Sequence, residues 1–237
     1  MGYSKIDMVV PDIEKPYASY SNPQVKAANI NTLKNIKSKY GASITKWGQT
    51  FGIPDGVIIG FIATESGGNQ YVTSFASSDI KGLMQIAPAP IYDTVTKWKA
   101  EVNVPIPAEF TKSIRAKIPE LLKSGVKYDN TLKSKIVKLT GGDADFNIMM
   151  GTAHLRWLLE RFSTIMGGGQ LNKAMVAYNA GAYTKALRTS GGGADITPVD
   201  SAVLAANKQV PSESRNYLLK MFGTDGFLSL IYKDKAI

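Results

Sequence analysis

The segment FIATESGGNQ (61–70) runs an apolar helical stretch directly into one carboxylate, Glu65, followed by two glycines. Ionising a carboxyl at the end of GVIIGFIAT is costly, so burial there raises its pKa and holds a proton on it closer to neutral pH. Such a group can deliver that proton to a poor leaving group. The commonplace alternative is a helix cap or a partner for a buried arginine. A negative charge at a helix C-terminus opposes the macrodipole, so a plain surface role fits poorly. Other chemistries have little to work with. Cysteine is absent, which removes disulfides and thiolate metal sites. The single histidine, His154, leaves no histidine cluster for a metal. It is also the only base a serine triad could use, and it sits inside an amphipathic helical run, where a structural role is the ordinary one.

The elements that must position Glu65 read as mostly helical. Asn22-Pro23 is an N-cap followed by proline at the first helical position, opening a helix expected to run to Tyr40 and stop at Gly41. ASITKWGQTFG is expected as a short helix of its own. Pro54 and Asp55 then open DGVIIGFIATE, whose near-continuous apolar character marks a helix buried on most sides. GLMQI (82–86) is expected to start a helix that Pro88 and Pro90 cut short. DFNIMMGTAHLRWLLERF (145–162) has helical spacing, and GGGQ breaks it. LNKAMVAYNAG follows as a helix with Gly181 as its stop. TSGGGADITP (189–198) reads as a flexible loop, before a last helical pair in SESRNYLLKMF and GFLSLIYK. Strand-like alternation is weak throughout, and no internal repeat is present.

Four stretches stand in order along these elements: ATES (63–66), GLMQI (82–86), AYNAG (177–181) and PSESRNYLLKM (211–221). Together they resemble the lytic transglycosylase domain of the soluble (SLT) type, a branch of the lysozyme superfamily. The NIMMG helix before AYNAG is similar to the family's as well. The resemblance covers roughly 45–232 and implies an all-α, lysozyme-like domain. Residues 1–44 are then expected as an N-terminal helical extension packed on it, and about 97–142 as a helical basic insert.

The resemblance implies lytic cleavage of the MurNAc–GlcNAc β-1,4 bond of peptidoglycan with 1,6-anhydroMurNAc formation. It implies Glu65 as the single acid and base, with no metal or cofactor. It further implies substrate contacts from Ser74, from Met84 and Gln85 of GLMQ, from Tyr178 and Asn179 of AYNAG, and from Glu213. Met84 is expected to line the groove by apolar contact, Gln85 by its amide, and Tyr178 to orient the catalytic carboxyl. Tyr217 is expected to pack behind Glu213. Each has a plainer reading: Met84 and Tyr217 as core, Asn179 as a C-cap, Glu213 as a first-turn charge.

Asp79, fourteen residues past Glu65, is a candidate second carboxylate. Goose-type lysozymes place an aspartate in a similar loop, where it holds a water for inverting hydrolysis. The plainer reading is a solvated loop carboxylate or a helix cap. Inverting hydrolysis through Glu65 and Asp79 is therefore one alternative, and a non-catalytic wall-binding protein on the same scaffold is another.

Twenty-eight Lys/Arg against nineteen Asp/Glu give a net +9, which favours anionic partners. Residues 97–138 hold ten Lys/Arg against four Asp/Glu, so two-thirds of that charge falls in one segment, with Trp98 and Tyr128 interleaved. Docking on anionic wall polymer and simple solvation are equally open readings of it. No nucleic-acid module accompanies the charge. No run approaches the ~18 apolar residues of a membrane span, and MGYSKIDMVVPDIEKP carries no signal-peptide core. The expected place of action is the bacterial cell wall, and the expected setting a phage lysin or virion component.

Overall fold

The computed structural model describes residues 13–20, 22–102, 104–162, 171–191, 194–195, 197 and 199–237. Among these residues the protein is all-α, with ten helices and only isolated β-bridges. The first helix, α1 (Pro23–Phe51), starts as expected, with the Asn22 side chain accepting from the Gln24 amide at 2.8 Å. It does not stop at Gly41. Leu33, Ile36, Tyr40, Ile44, Trp47 and Phe51 form one buried stripe across that glycine. A mid-helix glycine costs about 1 kcal/mol against alanine, while each large apolar side chain buried beyond it gains about 1.5–3 kcal/mol. Burial wins, and one helix replaces the two expected. It ends at Gly52, whose φ of 67° closes the turn.

The second helix, α2 (Asp55–Ser66), lies against α1 and is buried from Val57 to Ala63. The helix expected at GLMQI is absent. Residues 82–87 form an irregular turn, and α3 (Pro88–Glu101) begins where that helix was expected to end. Proline needs no amide partner in a helix's first turn, so Pro88 and Pro90 open α3 rather than cut a predecessor short. The 97–138 segment is helical, through α4 (Ala108–Lys117), a 3-10 turn (Pro119–Leu122) and the start of α5 (Asn130–Gly142). Phe110 fixes it to the core by packing edge-on to Phe51, 5.2 Å between ring centroids.

The long α6 (Ala144–Arg161) is buried along nearly its whole length and contacts α1, α3 and α5. The expected break at GGGQ (167–170) lies outside the described residues. Beyond it come α7 (Leu171–Ala180), stopped at Gly181 with φ 93°, α8 (Ser201–Ala206), α9 (Ser212–Phe222) and α10 (Phe227–Tyr232). Of the loop expected at 189–198, the described part is anchored. Buried Lys173 donates from Nζ to the Asp195 and Thr197 carbonyls at 2.6 Å each. Among the described residues, no helix is long and apolar enough to cross a membrane.

Candidate active site

Glu65 occupies the last turn of α2. One turn earlier, Phe61 packs on Tyr178 of α7 and Tyr217 of α9, with ring centroids 5.0 and 5.9 Å away. The two tyrosines line a cavity of about 440 Å³ together with Glu65, Ser74, Gln85, Asn179, Glu213 and Lys220. Five helices and loops distant in sequence thus converge on one carboxyl.

Its surroundings set its protonation. Glu65 keeps part of its surface open to the cavity, but protein encloses the carboxyl closely. Burial is the largest influence and raises its pKa from 4.5 to about 7. The Tyr217 hydroxyl and the Lys220 ammonium pull it down, and Glu213 pushes it up. Tyr217 was expected only to pack behind Glu213. Its hydroxyl is instead buried beside Glu65, has no other polar partner, and favours the carboxylate form. The signal was present in the sequence: Glu213, Tyr217 and Lys220 lie at i, i+4 and i+7, one face of α9.

Tyr178 is committed elsewhere than expected. Its hydroxyl donates to the Met84 carbonyl at 2.9 Å, so it braces the turn instead of orienting Glu65 directly. Met84 itself is fully buried, and the expectation that it lines the groove does not hold. Gly151 of α6 explains its position. A Cβ there would stand 2.4 Å from the Met84 sulfur, so the glycine makes the socket that receives this side chain.

The same helix clamps the rest of the turn. Buried Asn147 donates to the Lys81 and Thr140 carbonyls at 2.9 and 3.2 Å, and its oxygen accepts from the Met84 amide at 2.7 Å. Gly82 has φ 90°, and a Cβ there would lie 2.3 Å from the Asn147 amide nitrogen. Only glycine fits. Gln85, held at φ 44°, turns its amide nitrogen to the Val72 and Gly82 carbonyls at 3.1 and 2.8 Å. Both of its hydrogens are therefore spent on the loop, and its oxygen is the atom left for a ligand. A strained non-glycine residue at such a point is common where a ligand-binding turn is fixed in advance.

Ser74 sits in the loop that Gln85 holds, with its hydroxyl accepting from the Ala76 amide at 3.1 Å. Asn179 accepts from the buried Ser214 hydroxyl at 2.6 Å, which ties α7 to α9. Phe75, fully exposed at the rim, was not anticipated.

Asp79 is not brought to this cavity. It pairs with Lys133 of α5 at 2.6 Å and lines a separate cavity on the far side of the 71–81 loop. His154 is structural. It stands 2.8 Å from the Thr94 hydroxyl and stacks on Trp157, and burial lowers its pKa to about 3, so it stays neutral. Among the described residues, no group of three acids or histidines is placed to hold a metal ion. The basic segment is less free than its count suggests, because Lys117, Lys133 and Lys135 are held by Asp143, Asp79 and Glu120.

The all-α fold, with one carboxyl of raised pKa in its cleft, is consistent with a lysozyme-like SLT fold. Residues 42–108 match the family model of the transglycosylase SLT domain, a family of the lysozyme-like superfamily. Peptidoglycan cleavage of the lytic transglycosylase type is the family's general activity. No curated protein matches the chain.

Proposed function

We propose that this protein cleaves the MurNAc–GlcNAc β-1,4 bond by intramolecular transglycosylation, with Glu65 as acid and then base. The observation that carries this reading is a carboxyl held by burial at a pKa of about 7 in a cavity shared with Ser74, Gln85, Tyr178, Asn179 and Glu213. Protonated Glu65 gives its proton to the glycosidic oxygen as the bond from C1 of MurNAc breaks. The 2-acetamido oxygen of the same sugar stabilises the positive charge at C1. The new carboxylate is steadied by the Tyr217 hydroxyl and the Lys220 ammonium, both of which favour its charged form. It then takes the proton from the 6-hydroxyl, whose oxygen closes on C1. The proton count returns to its start, and no water enters.

A single group serves both steps because its pKa lies near the working pH, where neither protonation state is far away. Asp79 has no part in this scheme, since Lys133 holds it outside the cavity. Mass spectrometry of the soluble products tests the proposal. Wild-type protein should release fragments ending in 1,6-anhydroMurNAc. New reducing ends as the main product would replace the transglycosylase with a hydrolase.

A further inference from the structure

The cavity beyond the 71–81 loop measures about 590 Å³ and lies between that loop and α5. It falls within the ~300–1,000 Å³ usual for ligand cavities. Its charged lining is three lysines, Lys81, Lys133 and Lys138, against one acid, Asp79. Asp79 is already held by Lys133. Lys81 and Lys138 are in no ion pair among the described residues. The aliphatic stem of Lys81 lies along Gly141 of α5, where a Cβ would meet it at 3.0 Å, so this side chain is laid against the cavity wall. Ser134 and Asn130 add hydrogen-bonding groups, and exposed Tyr71 stands at the mouth.

The position of this cavity identifies its ligand. Thr73 lines both it and the Glu65 cavity, and the bridge between Thr73 and Lys81 closes the loop that separates them. A glycan strand in the Glu65 cavity carries a short peptide on each muramoyl sugar, and that peptide bears carboxylates. We infer that the Lys81–Lys138 cavity is a subsite for the carboxylates of a peptidoglycan stem peptide, which branches past the 71–81 loop from a sugar seated in the cleft. This inference rests on the reading of the Glu65 cavity given above.

Two solvent-accessible ammonium groups attract a free carboxylate only weakly, at about 0–1 kcal/mol each. A carboxylate tethered to a strand already bound meets them at a high effective concentration, so a weak contact becomes a useful one. Phosphate of a wall polymer has the same attraction to lysine but lacks that tether.

The test compares glycan strands bearing peptides with strands stripped of them by an amidase, both free of wall phosphate. In the double variant Lys81→Glu/Lys138→Glu, the ratio of kcat/KM on peptide-bearing strands to that on stripped strands should fall about tenfold, through KM. Lys81→Met/Lys138→Met should lower it less, which distinguishes lost attraction from added repulsion. An unchanged ratio, or equal losses on both substrates, overturns the subsite. Binding of both strands to Glu65→Gln protein, with and without the lysine changes, gives the same decision without turnover. If wild type cleaves neither strand, the reading of the Glu65 cavity fails. The lysine-dependent preference for peptide-bearing strands in the binding assay still stands or falls by itself.

Discussion

Glu65 and Asp79 are carboxylates fourteen residues apart that face cavities on opposite sides of one loop. Their surroundings are opposite. Glu65 follows seven consecutive buried residues of α2, and among the described residues it has no ammonium within ion-pairing distance. Asp79 holds Lys133 at 2.6 Å, and both side chains remain 37% exposed. The first environment keeps a proton on the carboxyl at a pH where carboxyls are usually ionised. The second gives the charge water and a counter-ion. Residue type does not separate a carboxyl of raised pKa from a solvated one here; the apolar surroundings of Glu65, where Phe61 packs on Tyr178 and Tyr217, do.

Activity should show the contrast most sharply. Glu65→Gln keeps the shape of the side chain but has no proton to give. Its turnover of purified peptidoglycan should fall by about 10²–10⁴-fold, the usual contribution of a positioned acid or base. Asp79→Asn should change turnover little, and crippled turnover in that variant would bring it back as a catalyst. For the wild type, kcat/KM should decline as pH rises through about 7, where Glu65 loses its proton. Tyr217→Phe and Lys220→Met each remove an influence that lowers this pKa, so both should move the decline to higher pH. Glu213→Gln should move it lower. A pH profile that ignores all three would detach the limb from Glu65.

Stability should register the same contrast more gently. Folded Glu65 binds its proton more tightly than the unfolded chain does, with a pKa of about 7 against 4.5. Below pH 4.5 both states are protonated and nothing is lost. Between 4.5 and 7 the unfolded chain ionises first, so stability falls with rising pH and levels off above 7. The full penalty is on the order of 3 kcal/mol. Glu65→Gln removes it, so the variant should outlast wild type in urea at pH 8 by up to that amount and match it at pH 4. A gain of equal size at both pH values would point to packing instead of burial of charge. Asp79→Asn should show no such gain.

The sequence made some of this contrast legible and hid the rest for physical reasons. The apolar run before Glu65 announces a desolvated carboxyl because burial of a short helix is written in its composition. The buried state of Met84 is not announced, because an apolar residue in a motif suits a groove and a core alike. Its socket depends on Gly151, sixty-seven residues later on another helix. Gly41 and the prolines at 88 and 90 were misleading for a related reason. Local breaker signals lost to the buried stripe of α1 in one case, and in the other marked the start of a helix instead of its end. The Asp79–Lys133 contact joins residues fifty-four positions apart, and no local pattern encodes it.

That contact supplies the smallest expected effect and a way to break the comparison from its other side. If Asp79 is a solvated partner of Lys133, the two side chains gain little from each other, because water already serves both charges. A double-mutant cycle with Asp79→Asn and Lys133→Met should then give a coupling of about 0.2–1 kcal/mol in unfolding free energy. The coupling should shrink in 1 M salt, where the Debye length falls to about 3 Å. A coupling above about 2 kcal/mol that resists salt would mean the pair is desolvated, as buried pairs broken at one partner show large losses. Asp79 would then stand in an environment closer to that of Glu65, and the distinction between the two sides of the loop would fail. A small, salt-sensitive value leaves Lys133 as a tether from α5 to the 71–81 loop, and leaves Glu65 as the one carboxyl of the pair whose surroundings suit it to carry a proton.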